Sequence, residues 1–222
     1  TTQQAAEWLA ERGDSSSVFL WVHYWEPHDP YTPPEPFASA TMGLPYDAEI
    51  SYMDSLLGQL LDALRAEGRY DPAHIIMIGD HGEGLFDHDE EFHSLLIYDS
   101  TVHIPFFWKR PGQTRGTAVD PVVGCVDITP TVCDYLDLKP GAALEGLSLR
   151  PTMEKNRPPE REGLYLGSLV PYLAFEWSPL HAWRAQEWKY IACPEPELYH
   201  ITSDPSELDN RVLRDPEIAD RM

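Results

Sequence analysis

The chain has 222 residues, 42% of them apolar, so it can bury a sizeable core as one large domain or as one domain with a smaller appendage. Its 16 Lys and Arg against 37 Asp and Glu give a formal net charge of −21, which argues against a surface that binds nucleic acid or anionic lipid. Three cysteines without paired-ligand spacing favour core thiols over a disulfide framework, and no apolar run is long enough to cross a bilayer.

The first part of the chain reads as helix, strand, helix and strand. Residues 1–12 have the spacing of an amphipathic helix rather than the pattern of a signal peptide. Residues 17–23 (SVFLWVH) predict a buried strand that leads into a proline-rich loop over residues 27–36. Residues 46–67 predict a helix that stops at Gly68, and residues 74–78 (HIIMI) predict a second buried strand. The strand–helix–strand order favours a parallel sheet covered on both faces. The apolar stripe of the predicted helix consists of Ile50, Met53, Leu57, Leu60, Leu61 and Leu64.

The later elements are shorter. A polar stretch over residues 79–93 precedes a third strand over residues 104–108 (IPFFW), which the Pro111-Gly112 turn closes. Residues 127–137 predict a helix capped by Asp127 or Thr129. Beyond about residue 150, a proline-rich segment and short aromatic runs predict a small antiparallel sheet. We therefore place a boundary near residue 150, between a domain of residues 1–150 and a subdomain of residues 151–222.

The segment IIMIGDHGEG carries the clearest chemical signal in the chain. An apolar strand ends there abruptly in Asp80 and His81. Ligands of open α/β sheets bind outside the carboxyl ends of the strands, which would put this pair at the floor of a crevice. A carboxylate and an imidazole together offer two donors to a divalent cation. Histidines also follow the first predicted strand, at His28, and lie in the acidic loop, at His93.

Five segments, in this order, resemble successive landmarks of the sulfatase family in the alkaline phosphatase superfamily, and together they cover nearly the whole chain. They are FLWVHYWEPHDPYTPP, IIMIGDHGEG, HSLLIYDSTVHIPFFWKRPG, VDITPTVCDYL and ELYHITSDPSELDN. The resemblance implies an α/β fold, an incomplete three-layer sandwich of the alkaline phosphatase/sulfatase type with a small C-terminal α+β subdomain. It also implies a hydrolase that acts on a small-molecule or carbohydrate sulfate ester.

The resemblance implies a role for four side chains. Asp80 and His81 would be two ligands of the active-site cation, with Ca²⁺ as the expected ion and Mn²⁺ or Zn²⁺ as alternatives. His28 would contact the sulfate ester oxygens and help to protonate the leaving group. His93 stands where many members have a lysine that binds another sulfate oxygen. Because histidine at that place also resembles members that hydrolyse phosphonate or phosphate esters, the substrate stays open between sulfur and phosphorus.

One landmark of the family is absent from these 222 residues. Sulfatases carry their nucleophile, a formylglycine made from Cys or Ser, in a Cys/Ser-x-Pro/Ala-x-Arg signature, and none of Cys125, Cys133 and Cys193 is followed by that pattern. We therefore expect the nucleophile, together with two further Asp ligands, in a preceding N-terminal half. The isolated chain is expected to be inactive.

Three hypotheses follow: a sulfatase, a phosphonate or phosphate monoester hydrolase or transferase of the same superfamily, or an inactive fragment or scaffold. Each candidate residue also has a plainer explanation. Asp80 and His81 could cap a polar loop, His28 could be a turn histidine held by prolines, and His93 could be solvated in an acidic loop. The sequence leaves open the natural substrate, the oligomeric state and the compartment, whether cytoplasmic, periplasmic or secreted.

Overall fold

The computed structural model describes residues 1–13 and 17–222 as helices and strands joined by long loops. The α-helices are α1 (Thr2–Ala10), α2 (Phe37–Ala40), α3 (Pro45–Ala66), α4 (Asp99–Val102), α5 (Ile128–Tyr135), α6 (Arg150–Lys155), α7 (Val170–Phe175) and α8 (Pro216–Ala219). The strands are β1 (Ile75–Ile78), β2 (Phe106–Lys109), β3 (Gly163–Ser168), β4 (Leu180–Ala185), β5 (Trp188–Ala192) and β6 (Glu197–His200).

The chain divides into two compact units, and the first comprises Thr1–Met77 and Phe106–Arg115. Helices α1 and α3 pack together in it around Ala5, Leu9 and Leu60. Helix α3 confirms the predicted helix, since it begins with Pro45 in its first turn and ends before Gly68, whose φ is +66°. Its apolar stripe is only partly buried, because Ile50 at the predicted start of the stripe is 40% exposed.

The predicted strand over residues 17–23 is wrong in the form proposed. Every second side chain of this run is packed: Val18, Leu20 and Val22 lie against the buried residues of α1 and α3. The side chains between them point outward, and Phe19 and Trp21 are 83% and 78% exposed. The run has the period of an extended chain, but within the described residues β1 and β2 form a two-stranded sheet that does not include it.

The second unit comprises Ile78–Pro105 and Gly116–Met222, and it contains the small antiparallel sheet predicted beyond residue 150. Strands β3, β4, β5 and β6 follow one another in chain order, and each pairs antiparallel with the next. The register places Trp183 of β4 between Tyr165 of β3 and Tyr190 of β5. The boundary near residue 150 stays a prediction. The core of this unit is formed by Ile97, Ala182, Ile191, Tyr199 and Ile201.

The helix predicted over residues 127–137 begins as a 3₁₀ turn, Cys125–Asp127, and continues as α5. Asp127 is the N-terminal cap residue of α5, but its carboxylate makes no capping bond there. It is fully buried and instead accepts hydrogen bonds from the backbone N–H groups of Gly124 and Leu147, both at 2.9 Å. Arg161 completes its surroundings with an ion pair of 2.6 Å. The carboxylate therefore caps the start of the 3₁₀ turn and joins it to the segment at Leu147.

The three cysteines are free thiols. Cys133 and Cys193 are half-buried, whereas Cys125 is exposed, so the prediction of core thiols is wrong for Cys125. Among the residues that the structure describes, no helix has both the length and the apolar character that a bilayer crossing requires.

Candidate functional site

Asp80 and His81 follow directly after β1, as the sequence predicted for a strand-end pair. The His81 backbone N–H donates to Asp80 Oδ1 over 3.0 Å, which holds the carboxylate against its neighbour. The His81 ring donates from Nδ1 to the carbonyl oxygen of Gly82 over 2.7 Å, so the neutral ring carries its lone pair on Nε2. This Nε2 lies 3.8 Å from Asp80 Oδ1. Two donor atoms with lone pairs therefore lie side by side.

The glycines after this pair allow two backbone segments to approach each other closely. A Cβ on Gly82 would lie 2.2 Å from the carbonyl oxygen of Ser100, and the Gly82 N–H donates to the carbonyl of Thr101 over 2.8 Å. A Cβ on Gly84 would lie 2.4 Å from the carbonyl oxygen of Glu90. Only glycine fits at such distances, so both positions fix the path of the loop that carries the candidate site.

His93 lies directly against His81, which the sequence could not show. The two imidazole rings stack with their centroids 3.8 Å apart and an interplanar angle of 24°. Glu83, whose side chain is only 4% exposed, accepts from His93 Nδ1 over 3.1 Å. A carboxylate behind a histidine fixes its tautomer and balances the charge of the protonated ring. The structure therefore brings together His81, His93 and a buried carboxylate in one unit.

The loop that contains His93 has an unusual backbone conformation. Five non-glycine residues of this loop have a left-handed φ: Leu85, Phe86, His88, Asp89 and Ser94. Such conformations cost of order 1–3 kcal/mol each, and they persist where surrounding contacts impose them. The carboxylate of Glu90 is one such contact, because it is buried and accepts from the N–H groups of Leu95 at 2.8 Å and Leu96 at 3.2 Å.

A second set of contacts anchors the end of this loop. The His88 ring stacks on Tyr98 with centroids 3.5 Å apart, and its Nε2 donates to the carbonyl oxygen of Glu207 over 3.0 Å. Tyr98 donates its hydroxyl hydrogen to Glu197 over 2.8 Å, and burial together with this carboxylate raises the pKa of the phenol. His88 is thus part of the framework that supports the loop.

Buried charges fix the start of α4. Lys189 is fully buried on β5, and its Nζ lies 2.8 Å from Asp99 Oδ1 and 2.9 Å from Glu207 Oε1. Arg184 approaches the other oxygen of Asp99 at 3.6 Å. Burial raises the pKa of Glu207, while the Lys189 ammonium and a hydrogen bond from the Asp99 N–H oppose the rise. This cluster ties the segment after His93 to the antiparallel sheet.

His28 lies in the first unit, in the proline-rich loop. Its ring donates from Nδ1 to the carbonyl oxygen of Asp29 over 2.8 Å and packs against Trp25, with centroids 4.2 Å apart. Its backbone N–H donates to Glu49 Oε2 over 2.9 Å. The predicted roles of His28, and its predicted closeness to the Asp80 loop, stay predictions.

The donor set after β1 fits part of a cation site. Among residues 1–13 and 17–222, no group of three or more His, Cys, Asp or Glu side chains is arranged to hold a metal ion. Asp80 Oδ1 and His81 Nε2, 3.8 Å apart, could both contact one cation at bond lengths of roughly 2.0–2.6 Å. These two residues supply at most two ligands, so a tight site would need more.

Comparison with solved structures gives the class of fold. The described chain superimposes on yidJ from Bacteroides fragilis with a TM-score of 0.87 at 16% identity, covering 99% of this chain and 55% of that one. It matches BT4656, solved with its substrate D-glucosamine-2-N,6-O-disulfate, with a TM-score of 0.68 at 24% identity, over 79% of this chain and 37% of that one. The fold is an incomplete α/β fold of the sulfatase type.

Family models identify the chain further. The Sulfatase model matches residues 1–138, and the model of the N-sulphoglucosamine sulphohydrolase C-terminal region matches residues 83–221. The chain therefore belongs to the sulfatase family, as its five ordered segments indicated.

Curated relatives agree with this assignment. Arylsulfatase K of Homo sapiens is 30% identical over 185 residues, which is 78% of this chain and 34% of the relative. The chain thus spans about a third of the length of the curated relatives it matches. A further solved structure, the phosphonate monoester hydrolase of Agrobacterium radiobacter, is 25% identical with a TM-score of 0.65, over 79% of this chain and 38% of that one.

Proposed function

We propose that the protein is a sulfuric ester hydrolase whose substrate is a small-molecule or carbohydrate sulfate ester. One observation carries the proposal: Asp80, His81 and His93 converge at the end of β1, with a buried carboxylate behind His93. Membership of the sulfatase family agrees with this grouping. The sulfated substrate of BT4656 and the name of the arylsulfatase K relatives support a sulfate ester for this chain.

Asp80 and His81 would hold a divalent cation, together with ligands outside the described pair. We propose Ca²⁺ from the family resemblance, while the imidazole of His81 suits Mn²⁺ or Zn²⁺ equally well. When bound, such a cation acts as a Lewis acid that withdraws charge from an ester oxygen. The attacking group would be the formylglycine of the family signature, which these 222 residues do not contain.

His93 would neutralise charge on the ester. With Nδ1 hydrogen-bonded to Glu83, the protonated ring directs its other N–H, at Nε2, toward an acceptor. A donor already aimed at the position where negative charge develops needs no reorganisation during the reaction. The carboxylate of Glu83, 3.1 Å from Nδ1, holds the ring in this orientation. His28 would donate a proton to the departing oxygen.

A second candidate is the hydrolysis of a phosphonate or phosphate ester. Histidine in place of lysine at position 93 favours it, as does the likeness to the Agrobacterium radiobacter enzyme. The two candidates differ only in the central atom of the ester, so they predict the same residues in the same roles. Their relative rates on matched esters will separate them.

The test uses the protein encoded by the complete gene, with formylglycine formation confirmed by mass spectrometry. Rates are measured on the sulfate and the phenylphosphonate ester of one nitrophenol, with Ca²⁺, Mn²⁺ or Zn²⁺ added after chelation. We expect the sulfate to be the better substrate, and Asp80→Asn and His93→Ala each to lower its rate by about 100-fold or more. Asp71→Asn, an exposed carboxylate before β1, is the matched control. An absence of sulfate hydrolysis with every metal would overturn the proposal in favour of an inactive scaffold.

A further inference from the structure

Glu49 is a buried carboxylate on α3, directly before Ile50, the first residue of the predicted apolar stripe. It lies four residues before Met53 and so extends the stripe of Met53, Leu57 and Leu60 along one face of α3. It is 5% exposed, whereas the neighbouring Ile50, which the pattern would bury, is 40% exposed. Burying a carboxylate costs several kcal/mol unless hydrogen-bond donors satisfy it. Its partners therefore indicate its role.

Both partners of Glu49 belong to the loop that carries His28. Oε2 accepts from the backbone N–H of His28 at 2.9 Å, and Oε1 accepts from the backbone N–H of Thr32 at 2.7 Å. One side chain on a long helix thus spans the turn and fixes it at both ends. Hydrogen bonds to a charged acceptor are about twice as strong as neutral ones, so this carboxylate restrains the backbone at residue 28 firmly.

The orientation of the His28 ring follows from that restraint. The ring is held from one side by the Asp29 carbonyl, 2.8 Å from Nδ1, and from its face by Trp25. Both of these contacts come from the loop of residues 27–36 or from the residues just before it. Glu49 joins the backbone of His28 to α3 and so fixes the loop, with its ring, relative to that helix.

We propose that Glu49 is the positioning residue for His28, and that it sets the orientation from which His28 donates its proton. The inference rests on the proposed function, which gives His28 that proton transfer. Glu49 acts on His28 through the loop backbone and not through contact with the ester. Loss of the restraint will therefore slow the step that His28 assists and leave the other steps unchanged.

The experiment compares Glu49→Gln with His28→Ala in the complete protein, on sulfate esters of a series of phenols. A good leaving group such as 4-nitrophenolate needs little protonation, whereas a poor one such as phenolate needs it fully. We expect Glu49→Gln to lower kcat about 10- to 100-fold for phenyl sulfate and less than threefold for 4-nitrophenyl sulfate, with KM little changed. His28→Ala should show the same dependence more strongly, and adding Glu49→Gln to it should cause no further loss.

Matched variants separate this role from a loss of folding. Glu7→Gln, in an exposed helical glutamate of the same unit, should leave all rates within twofold. Should Glu49→Gln fail to fold, Glu49→Asp keeps the charge but is one methylene shorter, and it should show a smaller loss with the same leaving-group trend. Full activity of Glu49→Gln alongside an impaired His28→Ala would overturn the inference alone. A harmless His28→Ala would overturn the proposed role of His28 and the inference with it.

Discussion

Replacing Lys189 with Met tests whether the buried charge cluster of the second unit is as interdependent as its geometry indicates. The substitution keeps a side chain of similar length and removes the ammonium that lies 2.8 Å from Asp99 and 2.9 Å from Glu207. Two carboxylates would then remain buried, and among the described residues Arg184, 3.6 Å from Asp99, would be the cation left beside them. Breaking a buried ion pair from one side typically costs about 3–5 kcal/mol, because an uncompensated charge stays behind.

Urea unfolding measures this loss. With a slope of about 2 kcal/mol per M, a decrease of 3–5 kcal/mol lowers the midpoint of the unit's transition by roughly 2 M. The matched control is Lys139→Met, since Lys139 is exposed and its replacement should change the free energy of unfolding by about 0.5 kcal/mol or less. Tryptophan fluorescence follows the transition, and Trp183 and Trp188 of the antiparallel sheet contribute to it.

The pH dependence gives the sharper refutation. Burial already raises the pKa of Glu207, and the Lys189 ammonium opposes that rise, so its removal should raise the pKa further. A carboxyl group with a raised folded-state pKa stabilises the fold below its unfolded pKa of about 4.3, and this contribution is lost as the pH rises through the folded-state value. The variant should therefore resemble the parent most at pH 5 and least at pH 8. A loss below 1 kcal/mol, or one that does not change between these pH values, would refute the reasoning.

Two further predictions concern the loop after β1. Gly82→Ala would place a methyl group 2.2 Å from the Ser100 carbonyl and should destabilise the unit by about 1–3 kcal/mol, whereas Gly58→Ala, in the open middle of α3, should stabilise by about 0.5–1 kcal/mol, both by urea unfolding. Glu83→Gln should loosen the orientation of the His93 ring and lower kcat on 4-nitrophenyl sulfate by about tenfold; an unchanged kcat would contradict the pairing.

Much of the framework could be predicted from local pattern. Helix α3, strands β1 and β2 and the later antiparallel sheet follow from periodicity and from glycine and proline signals. The strand over residues 17–23 failed because a period of two identifies an extended chain but not a hydrogen-bonded neighbour. Its inward residues pack on helices instead.

The predicted candidate residues near β1 lie together, but their mutual contacts could not be predicted. Asp80 and His81 are adjacent in sequence, so their proximity was given. The stacking of His93 on His81 depends on a loop with left-handed residues such as Leu85 and Phe86, whose side chains disfavour that conformation. Lys189 was equally hidden, because a lysine on a strand is ordinarily a surface residue.

Some of the carboxylates behind the net charge of −21 are buried and do not lie on the surface. Glu49, Glu90 and Asp127 are each less than 7% exposed, and each accepts hydrogen bonds from two backbone N–H groups of loop segments. Part of the acidity thus lies inside the units and holds loops in place. Proteins ordinarily satisfy loop N–H groups with water, which leaves the loop free to move. Carboxylates tie these loops to helices and turns, and two of the loops carry His28 and His93. The surface that an anionic substrate would meet is therefore less acidic than the composition implies. The histidines that would balance the charge of such a substrate are themselves held in place by carboxylates.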